Sequence, residues 1–245
     1  MKISVRKYPL LILVLILFII SNGKTAGQQN KLNSFQVLWD NDFLNIRGDG
    51  TDRYYTNGIR LDLFYLKKQK TKFPSSLLLN ISNDNNNIFS WGLAQSMFTP
   101  RNISYPDIQY NDRPYSGALF GIHSLQSTHS GKRTRVNTEI RFGVIGPLSF
   151  AKETQTWVHN AFNYTKPLGW HNQVPTDIIL NYNINIEKQL LYPSRNLLVT
   201  GIIETYNGTV YNAAGAGFML KLGKFQNYLE EYFIPIKKRD IPFQL

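Results

Sequence analysis

Two stretches of this chain alternate too regularly to be anything but strand. From Arg133 to Val144, Val136, Ile140, Phe142 and Val144 fall on one side and Arg135, Asn137, Glu139 and Arg141 on the other. From Asp177 to Gln189, Leu180, Tyr182, Ile184 and Ile186 oppose Asn181, Asn183, Asn185 and Glu187. Successive side chains of a strand point to opposite faces, so each pattern describes a sheet with one apolar and one polar side. The same period runs through Ser34–Asp40 and Arg53–Leu66, and Phe89–Phe98, Tyr115–Gln126, Asn196–Thr205 and Val210–Lys221 read as further strands. Leu77–Ile81 reads as a further short strand. Ser130-Gly131-Lys132 reads as a tight turn, and Tyr206-Asn207-Gly208-Thr209 as a hairpin turn in which Asn-Gly accepts positive φ. The segment Thr99–Asp112, with two prolines, is too long for a plain hairpin loop. The run of small residues Ala213–Gly217 suggests a close approach from inside.

One stretch breaks the pattern. Gly146-Pro147 signals a turn, residues from about 150 to 162 have no two-residue period, and Pro167 and Gly169 stop the run. A short helix is expected there. Gln155 and His159 lie four residues apart in it and so share a face.

The chain begins with Lys2, Arg6 and Lys7, then an apolar core from Pro9 to Ile20, then Thr25-Ala26-Gly27 as a cleavage site, so residues 1–27 read as a signal peptide and 28–245 as one β domain. The apolar core is shorter than the ~20 residues a spanning helix needs, and no later segment is long and apolar enough for one. Four basic and no acidic residues lie in 1–27, which lowers the net charge from +11 to +7 in the remainder. That excess suits an anionic lipid surface. Nucleic acid is a poor partner, because no basic cluster is interleaved with aromatics and the protein is exported. With no cysteine, disulfides, thiol chemistry and cysteine-based zinc sites are excluded. Fourteen Tyr, fifteen Phe and four Trp in an exported β chain fit a transmembrane barrel with aromatic girdles. A soluble β-sandwich, its polar face in water, fits the same alternation, and periodicity does not choose between them.

Seven motifs in order bear on the choice: Asn41-Asp42-Phe43, Thr51-Asp52-Arg53-Tyr54-Tyr55-Thr56-Asn57-Gly58, Ala94-Gln95-Ser96-Met97-Phe98-Thr99-Pro100, Asp112-Arg113-Pro114-Tyr115-Ser116-Gly117, Gly143-Val144-Ile145-Gly146-Pro147, His159, and Gly169-Trp170-His171-Asn172-Gln173. Together, over roughly residues 35 to 225, they resemble the outer-membrane lipid A 3-O-deacylase family. The resemblance implies an all-β fold, an antiparallel transmembrane β-barrel of 12 strands with the one short helix. It implies a carboxylic ester hydrolase that uses Ca2+ and releases the 3-position acyl chain of lipid A, acting as a monomer on lipopolysaccharide in the bacterial outer membrane. By position His159 matches the family's catalytic histidine. Asn41 and Asp42 match its pair at the oxyanion and metal, Thr56 the threonine of its Tyr-Thr-x-Gly motif, and Gln155 its helix glutamine.

In the roles so implied, the imidazole takes a proton from water and Asn41 donates to the oxyanion. Asp42 holds calcium, a hard cation that prefers oxygen ligands. Thr56 orients water or substrate, and Gln155 fixes the imidazole. Two family positions differ: Ile103–Tyr105 is not basic, and the place of a glutamate falls near Thr165. Eight or nine strands are visible where 12 are implied, so C-terminal strands are expected to be missing or the barrel to be smaller. The alternative these departures raise is a non-enzymatic barrel on the same scaffold with a degraded site. No Gly-x-Ser-x-Gly elbow supports a serine hydrolase.

Overall fold

The structure, a computed structural model, describes residues 33–41, 55–66, 72–82, 87–194 and 196–224. The expected signal peptide lies outside the described residues, as does 230–245, which reads from the sequence as a last polar piece. Eight strands form one sheet: β1 (Asn33–Asn41), β2 (Asn57–Leu66), β3 (Ile88–Phe98), β4 (Ser116–His129), β5 (Thr134–Ile145), β6 (Asp177–Ser194), β7 (Leu197–Gly208) and β8 (Ala213–Leu222). Each pairs antiparallel with the next, in the order of the chain. The antiparallel all-β class is therefore as expected, with eight strands among the described residues. No helix in them is long and apolar enough to cross a membrane.

Register fixes the two faces. His123 pairs with Ile140 and Ile140 with Tyr182, while Ser124 pairs with Glu139 and Glu139 with Asn183. One face thus carries Phe35, Val37, Trp39, Phe142, Leu180, Ile203, Phe218 and Leu220, all strongly exposed. The other carries the charges. There Arg60 Nε donates to Asp62 Oδ2 at 2.7 Å, Arg60 Nη2 to Glu139 Oε2 at 3.1 Å, and Arg141 Nε to Glu139 Oε1. Arg60 stands on β2 and Glu139 on β5. Three strand spacings of ~4.8 Å separate them along a flat sheet, so their contact reports a sheet curved with the polar face inside. Gly92 makes room in the concavity: a Cβ there would lie 2.4 Å from the Asp62 carboxylate. Asn185 donates to Glu204 at 2.9 Å, as does Tyr206 at 3.0 Å, continuing the network. The charges inside are hydrogen-bonded, as charges withdrawn from bulk water must be.

At one end the outer, apolar face carries buried polar residues, among them His123, Ser127 and Thr138. The β2–β3 connection explains them. Residues 72–82 strap across the outside of the wall at the end where β4 turns into β5. Ser75 Oγ and His123 Nε2 are 2.8 Å apart, and Ser90 O is 2.9 Å from His123 Nδ1. Ser127 Oγ accepts the N–H groups of Ile81 and Ser82, both at 2.9 Å, and Thr138 Oγ1 accepts that of Leu79. Tyr182 Oη donates to Leu77 O, and Leu78 packs on Phe89 and Leu125. The strand expected at Leu77–Ile81 is instead a 3-10 turn, Ser75–Leu77, and an extended segment. Its N–H groups bond to side chains of the wall, so no ladder forms. The Ser130 turn forms as expected, with Arg133 N donating to Ser130 O.

Two other expectations change. Asn207 and Gly208 remain in β7, paired with Tyr182 and Asn181, and the connection to β8 lies beyond them. Gly208 is there for close approach, since a Cβ would meet Leu180 O at 2.3 Å. Along Ala213–Gly217 no described atom lies within 4 Å of a Cβ built on Gly215 or Gly217.

Ser127→Ala removes the acceptor for two strap N–H groups. Each buried unpaired donor costs about 1–3 kcal/mol. The variant should lose its heat-resistant electrophoretic mobility at a lower temperature and be cut faster near residue 80 by protease. Unchanged behaviour in both assays would contradict this account of the strap.

Candidate active site

The helix expected at about 150–162 is α1, Ala151–Ala161. Gly146 has φ 88°, a conformation suited to glycine, and turns the chain sharply out of β5. Its N–H donates to Gly117 O at 2.7 Å. A 3-10 turn, Pro147–Ser149, follows, and Phe150 at φ 57° opens the helix. Glu153 in the first turn complements the helix dipole.

The helix lies on the outer face of the wall, over β3 and β4. Gln95 Nε2 donates to Ser149 O at 2.7 Å. At Gly117 a Cβ would meet Ser149 Oγ at 2.2 Å and the Ala151 methyl at 2.3 Å, so only glycine admits the helix this close. Ala151, Gln155 and His159, spaced by four, form the buried strip, with Thr154 beside it. Beneath them Met97, Ile103, Tyr115, Ala151 and Trp170 make a small apolar core.

His159 is 7% exposed. The C-terminal turn closes when Tyr164 N donates to His159 O at 2.8 Å, and the chain then folds back through Asn163 at φ 56°. This return sets Thr165 O 2.5 Å from His159 Nδ1. A carbonyl only accepts, so Nδ1 carries a hydrogen, and in the neutral ring the lone pair is then on Nε2, a tautomer assigned from this bond. Tyr164 stands edge-on to the imidazole, ring centres 5.7 Å apart, and stacks on Phe162 at 5.8 Å. Leu148, Phe150, Trp157, Phe162, Tyr164 and Leu168 leave an exposed apolar rim around the helix.

Gln155 shares the strip with His159, as expected. Its Oε1 accepts Trp170 Nε1–H at 2.7 Å, which ties the helix to the 3-10 turn Gly169–Asn172. Trp170 is 1% exposed and packs against Tyr115, and a Cβ on Gly169 would meet Tyr115 at 2.6 Å.

Thr56 stands just before β2. Its N–H donates to Met97 O at 3.0 Å, and its hydroxyl pairs with that of Thr99 at 2.7 Å, both residues buried. Met97 accepts from Thr56 through its carbonyl and belongs to the same small apolar core as Ala151. Burial raises the pKa of the adjacent Tyr55, and the Asp40 carboxylate acts in the same direction, so this phenol stays protonated. Asn41 ends β1 opposite Asn57, at the same end of the wall. Asp42 lies outside the described residues. Among the described residues no three carboxylate, imidazole or thiol groups gather to hold a metal ion.

The site thus brings His159 and Gln155 together and places Thr56 and the end of β1 at the same end of the wall. Sequence reasoning missed four of its parts: Thr99 as the partner of Thr56, the Thr165 carbonyl as the partner of His159, Gln95 as the helix anchor, and Tyr164 as a ring beside the imidazole. Gln95, Thr99, Gly117 and Trp170 were visible as motif positions, without a reason.

Residues 10–239 match the family model described as outer membrane protein LpxR. Among solved structures, LpxR from Salmonella typhimurium superposes with a TM-score of 0.57 at 18% identity, over 78% of this chain and 62% of that one. This chain therefore spans less than two thirds of that protein's length, and the likeness bears on the fold. No curated protein sequence matches. A family model covering nearly the whole chain, joined to a curved antiparallel wall of the same fold, identifies this protein as a member of the LpxR outer membrane protein family.

Proposed function

We propose that this protein hydrolyses the ester-linked acyl chain at the 3-position of lipid A in the outer membrane, with His159 as general base. The observation that carries the reading is the imidazole itself. It is presented on a helix seated against the outer face of the wall, its Nδ1–H engaged by Thr165 O, and its helix is bordered by exposed aromatic and aliphatic side chains. A base in that position meets a lipid ester, and the apolar rim suits acyl chains.

In this mechanism Nε2 takes a proton from water as the water oxygen attacks the ester carbonyl. The carbonyl carbon–oxygen bond to the sugar then breaks, the sugar oxygen takes the proton back from the imidazolium, and the fatty acid leaves. A neutral imidazole accepts the first proton and, as imidazolium, returns it, so one ring serves both transfers. The Thr165 carbonyl fixes the ring and favours the imidazolium as it forms. Asn41 donates its amide to the developing oxyanion. The Thr56 hydroxyl, oriented by Thr99, positions water or substrate. Gln155 positions the base indirectly, through its bond to Trp170. Asp42 would hold calcium, which when bound would supply Lewis-acid polarisation of the ester carbonyl.

Three outcomes are expected. His159→Ala should lower release of 3-hydroxyacyl chains, read by mass spectrometry of lipid A from an expressing host, by about 10²–10⁴-fold with the barrel still folded. Full activity in that variant would refute the mechanism, and no release by the folded parent protein in calcium would refute the substrate. Chelation should abolish turnover and added calcium restore it, with Asp42→Ala unresponsive to micromolar calcium; turnover in excess chelator would exclude the ion. Trp170→Phe keeps the ring and loses the N–H. It should lower kcat several-fold at nearly constant KM, and a change in KM alone would place Trp170 in substrate binding.

A further inference from the structure

Residues 99–115, between β3 and β4, have a built conformation. The Asp112 carboxylate accepts two backbone N–H groups at 2.8 Å, Arg101 on Oδ2 and Arg113 on Oδ1. Asn102 Oδ1 accepts from the N–H and the hydroxyl of Ser104, Gln109 Nε2 donates to Asn102 O at 2.8 Å, and Asp112 N donates to Gln109 O at 3.0 Å. Between these residues lies an open cleft of about 540 Å3, lined by Arg101, Asn102, Gln109, Tyr110, Asn111 and Asp112. Ligand sites of ~300–1,000 Å3 are usual, and this one admits one or two sugar rings.

The lining is selective. It holds one guanidinium, three carboxamides, and a phenol ring that is 89% exposed. The single carboxylate has both oxygens occupied by backbone donors, which offsets its repulsion of an anion. Guanidinium pairs with phosphate through two parallel hydrogen bonds, carboxamides serve hydroxyls as donor and acceptor, and an exposed aromatic ring offers a flat apolar face to a sugar.

The cleft is coupled to the imidazole. Ile103 O accepts the Leu168 N–H at 2.8 Å and the Tyr115 hydroxyl at 2.9 Å, and Asn172 Nδ2 donates to Pro106 O at 2.9 Å. Leu168 is three residues beyond Thr165, whose carbonyl holds His159. The loop that forms the cleft is thereby stitched to the loop that orients the base.

We infer that the 99–115 cleft is the headgroup subsite, taking a phosphorylated sugar of the glycolipid with Arg101 on the phosphate and Tyr110 against the ring. The inference rests on the lipid A reading above and adds what selects that lipid over other esters at the same depth.

Binding tests it without turnover. The full-length His159→Ala protein in detergent micelles, its folding checked by heat-modifiable mobility, is titrated with bisphosphorylated lipid A, with lipid A dephosphorylated enzymatically, and with phosphatidylglycerol. Arg101→Gln in that background should bind bisphosphorylated lipid A about tenfold more weakly and the dephosphorylated lipid as before. Tyr110→Ala should weaken both lipid A forms by a similar factor. Equal losses for Arg101→Gln on both lipid A forms, or no loss, would overturn the inference. An equal dependence on Arg101 for phosphatidylglycerol would show a site for any anionic lipid, and displacement of lipid A by millimolar inorganic phosphate a site for free phosphate; either also overturns it. Selective binding with no deacylation by the parent protein would leave the subsite standing and refute the esterase. Deacylation with unselective binding would do the reverse.

Discussion

Lipid supplies no hydrogen bonds, so every polar group on the lipid-facing side of a membrane wall must be covered by the protein itself. On the outer surface of this sheet two groups of buried polar residues lie under loops. At the turn end, His123, Ser127 and Thr138 are taken up by the 72–82 strap. At the other end, Gln95 is taken up by the Ser149 carbonyl and Gly117 opens a seat for α1. Removing either cover would leave polar atoms facing hydrocarbon, at a cost of several kcal/mol for each unsatisfied group. The helix is thus bound to the wall by the same requirement that keeps the wall intact.

That requirement also builds the site. A helix pressed onto the outer face of the wall presents its i, i+4 strip to the sheet and leaves its flanks exposed. Ala151 fills the seat, Gln155 meets the Trp170 indole, and His159 arrives at the far end beside the returning chain. Orientation of the imidazole comes from the main chain: the Thr165 carbonyl sits where the family resemblance led one to expect a glutamate side chain. A carbonyl oxygen fixes the tautomer as a carboxylate does, with less charge to stabilise the imidazolium. The rim of Trp157, Phe162 and Tyr164 needs no polar partners beyond its own and suits the boundary where acyl chains meet headgroups.

The parts legible in the sequence were those governed by local period. β5 and β6 stand within a residue of their expected starts because alternation is a property of neighbouring residues. The helix stands at Ala151–Ala161 because the break in alternation is local too. The strap was misread because its partners are remote: Ser75 meets His123 and Leu79 meets Thr138, 48 and 59 residues away in sequence. The Asn207-Gly208 turn was misread because an Asn-Gly pair has two uses, positive φ and close approach, and Asn181 imposed the second. In the site, His159, Gln155 and Thr56 were found through motif order, whereas the pairing of the motif residue Thr99 with Thr56 and the use of the Thr165 carbonyl leave no local pattern. A backbone acceptor is available at every residue, and only the fold says which one is used.

The most direct test of the central claim reads the His159 ring nitrogens. With 15N-labelled histidine in detergent-solubilised protein, the four histidines of the chain can be assigned by single substitutions. The account requires that neutral His159 carry its proton on Nδ1, the rarer tautomer in solution, with an acceptor shift at Nε2. A proton on Nε2 at neutral pH would mean that the nitrogen assigned to attack is already occupied, and would contradict it.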